Sequence, residues 1–391
     1  MKKTLVIAGL AVLSTSAFAS KARMEALGQG SYSYYLSDSR SVFLNPASLN
    51  DMKNYIVTEW GTGLTAAGAV QADTATTPRA EGGFFREMGS FAYGLYLGNN
   101  GPARTYTSSA TFLDHQNAMD LMLAGDMGMK WGARLHYANS KNEGTFDTKN
   151  SALGLGLGLS HGDMEAYTNI TLSDKSEGAK VAGDVWKRKP GFQVGGSYKW
   201  SGMTFFADYN STNEEVTAAT GSDLTNVLGI GANSIAAGTT VTHKTSDITV
   251  GAARVHEVNP GARIMTDAKL VLGSDEIAGS LLTAKNGKVK TTTLPVTIGM
   301  EADATSWLTL RGNVHQNVIL GSTKSIAGKS STIANSTTVD AGATLNFGKL
   351  KMDGSIGTTG ASRDNTDVAG TKKGVLATDN LLTRVGVTYM F

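Results

Sequence analysis

Charged and imidazole side chains recur in this chain at every second position of otherwise apolar stretches. From Met129 to Ala138, Lys130, Arg134 and His136 alternate with Met129, Trp131, Ala133, Leu135 and Tyr137. A period of two puts such residues on one face of a strand. The same alternation assigns Lys199, Asp208, Arg263, Asp267, Glu301, Asp303, Arg311 and Arg384 to the polar faces of other strands, with Asp120, Glu165, Lys269, His315, Asp340, Lys351 and Asp353 beside them. Both signs occur in similar number. Such faces suit either a wet passage with opposed charges across a constriction or a network pinning a plug, and no pure ring for strong ion selectivity emerges.

Catalysis and cofactor chemistry find little support. The six His, at 115, 136, 161, 243, 256 and 315, lack metal-ligand spacing, and the chain has no Cys. No Ser-His-acid grouping is visible. Thr323 to Ser330 imitates a phosphate loop, but Thr stands where the first Gly belongs. Gly154, Gly156 and Gly158 have the wrong spacing for a dinucleotide site. We expect no enzyme activity, no metal and no cofactor.

The elements that must carry these residues are strands. Phe192 to Trp200, Met203 to Asn210 and Leu294 to Asp303 alternate, and Leu153, Leu155, Leu157 and Leu159 interleave with glycines. Between Ile248 and His256 the alternation weakens, and a bulge is expected near Gly251 to Ala253. Short turns fall at Glu87-Met88-Gly89, Asp126-Met127-Gly128, His161-Gly162-Asp163, Ser201-Gly202, Asn259-Pro260-Gly261, Thr305-Ser306 and Gly348-Lys349. Long polar connections alternate with them, near 62–79, 99–117, 140–147, 173–189, 211–244, 274–291, 320–336 and 358–379. The longest, 211–244, has an apolar middle from Leu224 to Ala237, for which packing against other loops is the expected use.

So many half-apolar strands leave too little sequence to cover them in a soluble sandwich. A closed barrel solves this, with apolar residues toward lipid, polar ones toward a lumen and no free edge. The fold expected is all-β, a transmembrane antiparallel up-and-down barrel of about 16 strands, with fourteen as the alternative count. No apolar run after the first residues is long enough for a helical span. Aromatics near the short turns, Trp131, Tyr198, Trp200, Trp307, Tyr389 and Phe391, suit an interfacial girdle.

The ends read as addresses. Lys2 and Lys3, an apolar stretch to Ser16 and Ala17-Phe18-Ala19 match a cleavable signal peptide, residues 1–19. The final alternating strand, ending in Tyr389 and Phe391, resembles the assembly signal of outer-membrane barrels. With the leader lysines set aside the charges balance, which argues against a nucleic-acid partner.

Residues 20–50 do not alternate, and the barrel is expected over 51–391. The non-alternating segment reads Ala26-Leu27-Gly28-Gln29-Gly30, a Ser/Asp turn at Ser37-Asp38-Ser39, then Phe43-Leu44-Asn45-Pro46-Ala47-Ser48-Leu49. It resembles the N-terminal segment of the outer-membrane long-chain fatty acid transporter superfamily, departing from its commoner Asn-Pro-Ala-Gly at Ser48. The resemblance covers roughly thirty residues. It implies that Asn45, Pro46 and Ala47 belong to a hatch inside the barrel, whereas the residues alone also allow a simple linker. Sixteen strands departs from the fourteen usual in that family.

Three functions are compatible with this reading. The first is passive diffusion of small solutes through a porin-like channel in the outer membrane. The second, implied by the resemblance, is hatched transport of hydrophobic molecules such as fatty acids, with an apolar pocket near 22–49 and a lateral opening near Gly251. The third is a structural or partner-binding surface barrel. Expected partners are outer-membrane lipid and lipopolysaccharide, the barrel-assembly machinery and small solutes, and a homotrimer is compatible with a general porin.

Overall fold

In the computed structural model the described residues are 20–391 apart from 31, 62–78, 100–111, 114, 116, 144–146, 179–182, 221–223, 226–233, 280–286, 326–327, 332–336 and 359–380. The expected leader, 1–19, lies outside them. One antiparallel sheet closes on itself. Its staves are β1 (Tyr55–Gly61), β2 (Arg79–Met88), β3 (Phe91–Leu97), β4 (Ala118–Asp126), β5 (Lys130–Asn142), β6 (Thr148–His161), β7 (Met164–Glu177), β8 (Val185–Trp200) and β9 (Met203–Thr217). After a small loop hairpin, β10 (Leu224–Thr225) and β11 (Ser234–Ile235), come β12 (Thr240–Asn259), β13 (Ala262–Gly279), β14 (Gly287–Thr305) and β15 (Leu308–Ser325). The circle finishes with β17 (Thr338–Phe347), β18 (Leu350–Thr358) and β19 (Leu381–Met390), which pairs with β1, Tyr389 facing Ile56. The sheet counts 17 strands because β16 (Gly328–Ser331) folds back on the top of β15, which leaves sixteen staves.

The alternation is realised as a lipid-facing apolar surface. Leu153, Leu157 and Leu159 on β6, Val194 and Tyr198 on β8, and Ile248 and Val250 on β12 all point outward, exposed. A closed ring leaves no unpaired backbone edge, which is what a bilayer interior demands. This is a transmembrane up-and-down barrel. Trp200, Trp307, Tyr389 and Phe391 are exposed at the short-turn end, where aromatic side chains fit a membrane–water interface.

Two details differ from the sequence expectations. The register of β12 runs unbroken through Gly251 to Ala253 on both neighbours, so there is no bulge there. The alternation weakens because Gly251 faces inward and leaves space for the ring of Phe206. Register irregularities lie instead at Leu172 on β7, at Pro190-Gly191 on β8 and around Leu294-Pro295 on β14, with others beside the short turns at Val258 and Ala304. Proline has no N–H for the ladder, so pairing breaks around it.

The strands also run further than expected, up to 20 residues in β12, where about 9–11 suffice to cross a bilayer. Beyond the irregularities the pattern inverts. Trp186, Val216, Val241 and Ile277 face inward, fully or almost fully buried, with Phe112 and Ile235 packed on them. Ile235 belongs to the long connection with the apolar middle, and it packs as expected of a loop folded onto its neighbours.

Candidate functional site

The lumen is occupied by the chain's own N-terminus. A helix α1 (Lys21–Ala26), a helix α2 (Ser41–Leu44) and a 3-10 turn (Pro46–Asn50) lead into β1. Their side chains touch inward-facing groups of strands all around the ring, which only an internal segment can do. Gly28 and Gly30 sit at positive φ, +73° and +68°, and turn the chain between α1 and the tyrosines that follow.

Two arginines tie this segment to the wall. Arg23 is 2% exposed, and its Nε donates to Glu301 Oε2 across 2.9 Å. Glu301 also receives Arg263 and Arg311, so one carboxylate meets three guanidinium groups. Arg311 reaches Thr344 and Asp353, and Ser20 Oγ donates to Asp353 at 3.2 Å. Arg40, 4% exposed, donates from Nη1 to Glu59 at 3.2 Å and to Tyr96 Oη at 2.9 Å. Lys21 pairs with Glu81, and Arg384 of β19 with Glu25. Charges out of water are tolerated only when paired in this way.

Shape completes what charge begins. Gly132 on β5 faces the Pro46 carbonyl so closely that a methyl there would overlap it. A methyl at Gly158 on β6 would overlap Asn45 Oδ1, one at Gly342 on β17 Ala26, and one at Gly386 on β19 Ser20. These glycines are seats in the wall. Asn45 spans its seat: Oδ1 accepts from the Ala47 amide at 3.1 Å, capping the 3-10 turn, while Nδ2 donates to Glu165 at 3.3 Å.

Between the two tied ends, Tyr32, Tyr34 and Tyr35 meet β7–β9 and β13. Tyr34 stacks on Phe206 with ring centroids 4.8 Å apart. Tyr35 Oη and Gln29 Nε2 each donate to Asp267 at 2.9 Å, and Tyr167 Oη donates to Asp208 at 2.8 Å. A narrow cavity runs beside this stretch, lined by Ser33, Tyr34, Tyr35, Glu165, Tyr167 and Lys199.

Most of the residues singled out by alternation lie at the wall–segment boundary, and His136, Lys199 and Asp303 do not. Arg134 donates to Asn169 at 3.1 Å and lies over Phe43, and His136 Nδ1 is 3.0 Å from Asp120. Asp208, Asp267, Glu301, Arg311, Arg263 and Arg384 sit in the contacts above. Lys130 bonds Asp51, Asp303 accepts from Thr309 Oγ1 at 2.7 Å, and Lys199 is exposed at the short-turn rim. Asn45, Pro46 and Ala47 are buried against β5 and β6. Alternation missed Glu59, because β1 is apolar on both faces: Tyr55 and Val57 point inward, Ile56 and Trp60 outward. It also missed Arg23 and Arg40, which lie in the non-alternating segment, Arg23 between Lys21 and Glu25 and Arg40 just after Asp38.

No protein-family model matches the chain, and no curated protein matches it either. Among solved structures, a FadL homologue of Pseudomonas aeruginosa is similar at 11% identity over 95% of this chain and 98% of that one, TM-score 0.45. The toluene transporter TbuX of Ralstonia pickettii is 13% identical over 96% and 99%, TM-score 0.40. The monoaromatic hydrocarbon channel CymD is 11% identical over 94% and 96%, TM-score 0.39.

Proposed function

We propose that this protein is a hatched outer-membrane conduit for small hydrophobic molecules, rather than an open diffusion pore. The observation that carries this reading is the filling of the lumen by residues 20–52, held by buried ion pairs and seated on wall glycines. A general diffusion pore needs a continuous aqueous path, and buried Arg23 and Arg40 stand across it. The long-loop side carries an inward apolar cluster of Trp186, Val216, Val241 and Ile277 beside the buried Arg188–Glu214 pair, and this cluster suits apolar cargo.

An apolar cargo also needs an exit that avoids the charged segment. Gly251 does not offer one, because β12 is paired without a break. The better candidates are the pairing breaks at Pro190-Gly191 and Leu294-Pro295, which interrupt the wall.

Conductance of the refolded protein in a planar bilayer, against a variant lacking residues 20–49, tests the hatch. The intact protein should be silent and the truncated one should conduct. Open conductance in the intact protein would restore the diffusion pore, and silence in both, with folding confirmed, would favour a structural barrel. Uptake of a fluorescent fatty acid into proteoliposomes tests the cargo class.

A further inference from the structure

The outer surface carries a feature that the lumen does not explain. On β5–β8, beyond Tyr137, Leu153, Leu172 and Phe192, the outward positions change from apolar to basic. Lys141, Lys149, Lys175, Lys187 and Lys189 form a ridge, three to five residues past the last apolar side chain of each strand. The register sets Lys141 directly opposite Lys149, and Lys175 directly opposite Lys187. Like charges facing each other across a ladder destabilise a sheet, so this arrangement calls for a counter-charge.

Among the described residues the protein supplies only part of it. Glu177 meets Lys149 at 2.7 Å and also Lys175, Glu215 meets Lys187 and, at 2.8 Å, Lys189, and Glu143 meets Lys141. Three carboxylates face five ammonium groups. The lysine side chains are 45% to 65% exposed. Each ammonium has three donors, so donors remain for an external anion.

Position identifies the anion. The ridge stands just past the apolar belt on the long-loop side, at the level of one leaflet's headgroups. The short-turn ends of β7 and β8 carry Met164, Tyr198 and Trp200 instead. Acyl chains cover the belt below, so the group next to the ridge is the headgroup of the same lipid. Lysines near an anionic membrane surface attract its headgroups.

We propose that this ridge is a docking site for a phosphorylated glycolipid of the outer leaflet, of the lipopolysaccharide class, with phosphate groups bridging the opposed lysine pairs. The proposal rests on the outer-membrane reading above but not on the hatch or its cargo.

The test uses the refolded full-length barrel in detergent, with bisphosphorylated lipid A, its dephosphorylated form and inorganic phosphate as separate probes. Lipid A should bind and raise the unfolding midpoint, and salt should weaken the effect. The Lys149→Gln/Lys175→Gln/Lys187→Gln variant should bind lipid A more weakly, by about five-fold per lysine and roughly a hundredfold together. Lys53→Gln, at the short-turn rim, should bind as the parent does. Equal binding of parent and triple variant would overturn the proposal, as would equal binding of dephosphorylated lipid A. Stabilisation by inorganic phosphate alone would also overturn it, in favour of a simple anion site. Should the triple variant fail to show the heat-dependent gel shift of a folded barrel, Lys149→Gln and Lys187→Gln singly decide by the same criteria. Fatty-acid uptake by the same variants in phospholipid vesicles reports on the conduit separately.

Discussion

Arg23 and Glu301 lie 278 residues apart in the chain, yet their side chains meet at 2.9 Å, and neither is more than 5% exposed. The pair joins the first helix to the wall at the point where Arg263 and Arg311 also converge. Removing one partner of a buried pair leaves the other charge without compensation, at a cost of about 3–5 kcal/mol. Glu301→Gln should therefore loosen the N-terminal segment more than it loosens the barrel. We expect faster protease cleavage within residues 20–50 and measurable conductance, while the heat-dependent gel shift of the folded barrel persists. Unchanged cleavage would mean that the segment is held by shape alone.

The shape contribution has its own test. Gly132→Val fills the seat of Pro46, and an overpacked site of this kind costs about 1–3 kcal/mol. The barrel can keep its pairing, because residue 132 points into the lumen, so the segment should yield instead. Conductance of the Gly132→Val protein should approach that of the truncated one. Gly299→Ala is the comparison: a methyl there would meet Leu27 O at 3.6 Å, an ordinary contact, and the protein should stay silent. A conducting Gly299→Ala would show that any wall change opens the lumen.

Much of the barrel is legible in the sequence because the bilayer enforces one rule at every second residue. Leu153 to Leu159 could be read outward and their glycines inward without a structure. Above the membrane that rule lapses. At Lys187 and Trp186 the period of two survives, but its phase is reversed, charged outside and apolar inside, so the stretch reads as loop. The lumen contacts were less accessible still. Nothing local marks Gly158 as the seat of Asn45, or Glu301 as the partner of Arg23, since each depends on a closure that brings distant strands together. Gly251 misled for a related reason: a small inward residue looks like a break in alternation when it is space left for Phe206.

The apolar mouth predicts a gate. Trp186 is fully buried among Val216, Val241, Ile277, Phe112 and Ile235. Replacing a buried Trp by Ala costs about 3–5 kcal/mol when neighbours cannot collapse. That cost should fall on the packing of the long connections over the lumen. Trp186→Ala should speed entry of a fluorescent fatty acid without conferring conductance, because the N-terminal segment still closes the far end. Slower entry would instead make Trp186 part of the cargo's binding surface.

Asp38 makes the segment's docking depend on pH. Its carboxylate lies wholly inside the protein, where Oδ1 accepts the Arg40 amide at 2.8 Å. Burial pushes it from 3.8 up to about 7, with Arg23 and Arg40 opposing the shift. A released segment would return Asp38 to the ordinary range, so between about pH 4 and 7 the docked state holds a proton that the released state lacks. Docking therefore strengthens as pH falls through that window and weakens as it rises. Glu25, pushed up to about 7 mainly by burial, acts in the same sense. Lys21, lowered to about 6 mainly by burial, acts in the opposite sense only above that pH. Protease cleavage within residues 20–50 should slow as pH falls from 6 to 5, below the range in which Lys21 contributes. Asp38→Asn, which cannot ionise, should flatten that slope, leaving the part due to Glu25. An unchanged slope in Asp38→Asn would assign the pH dependence to Glu25 or to the wall carboxylates.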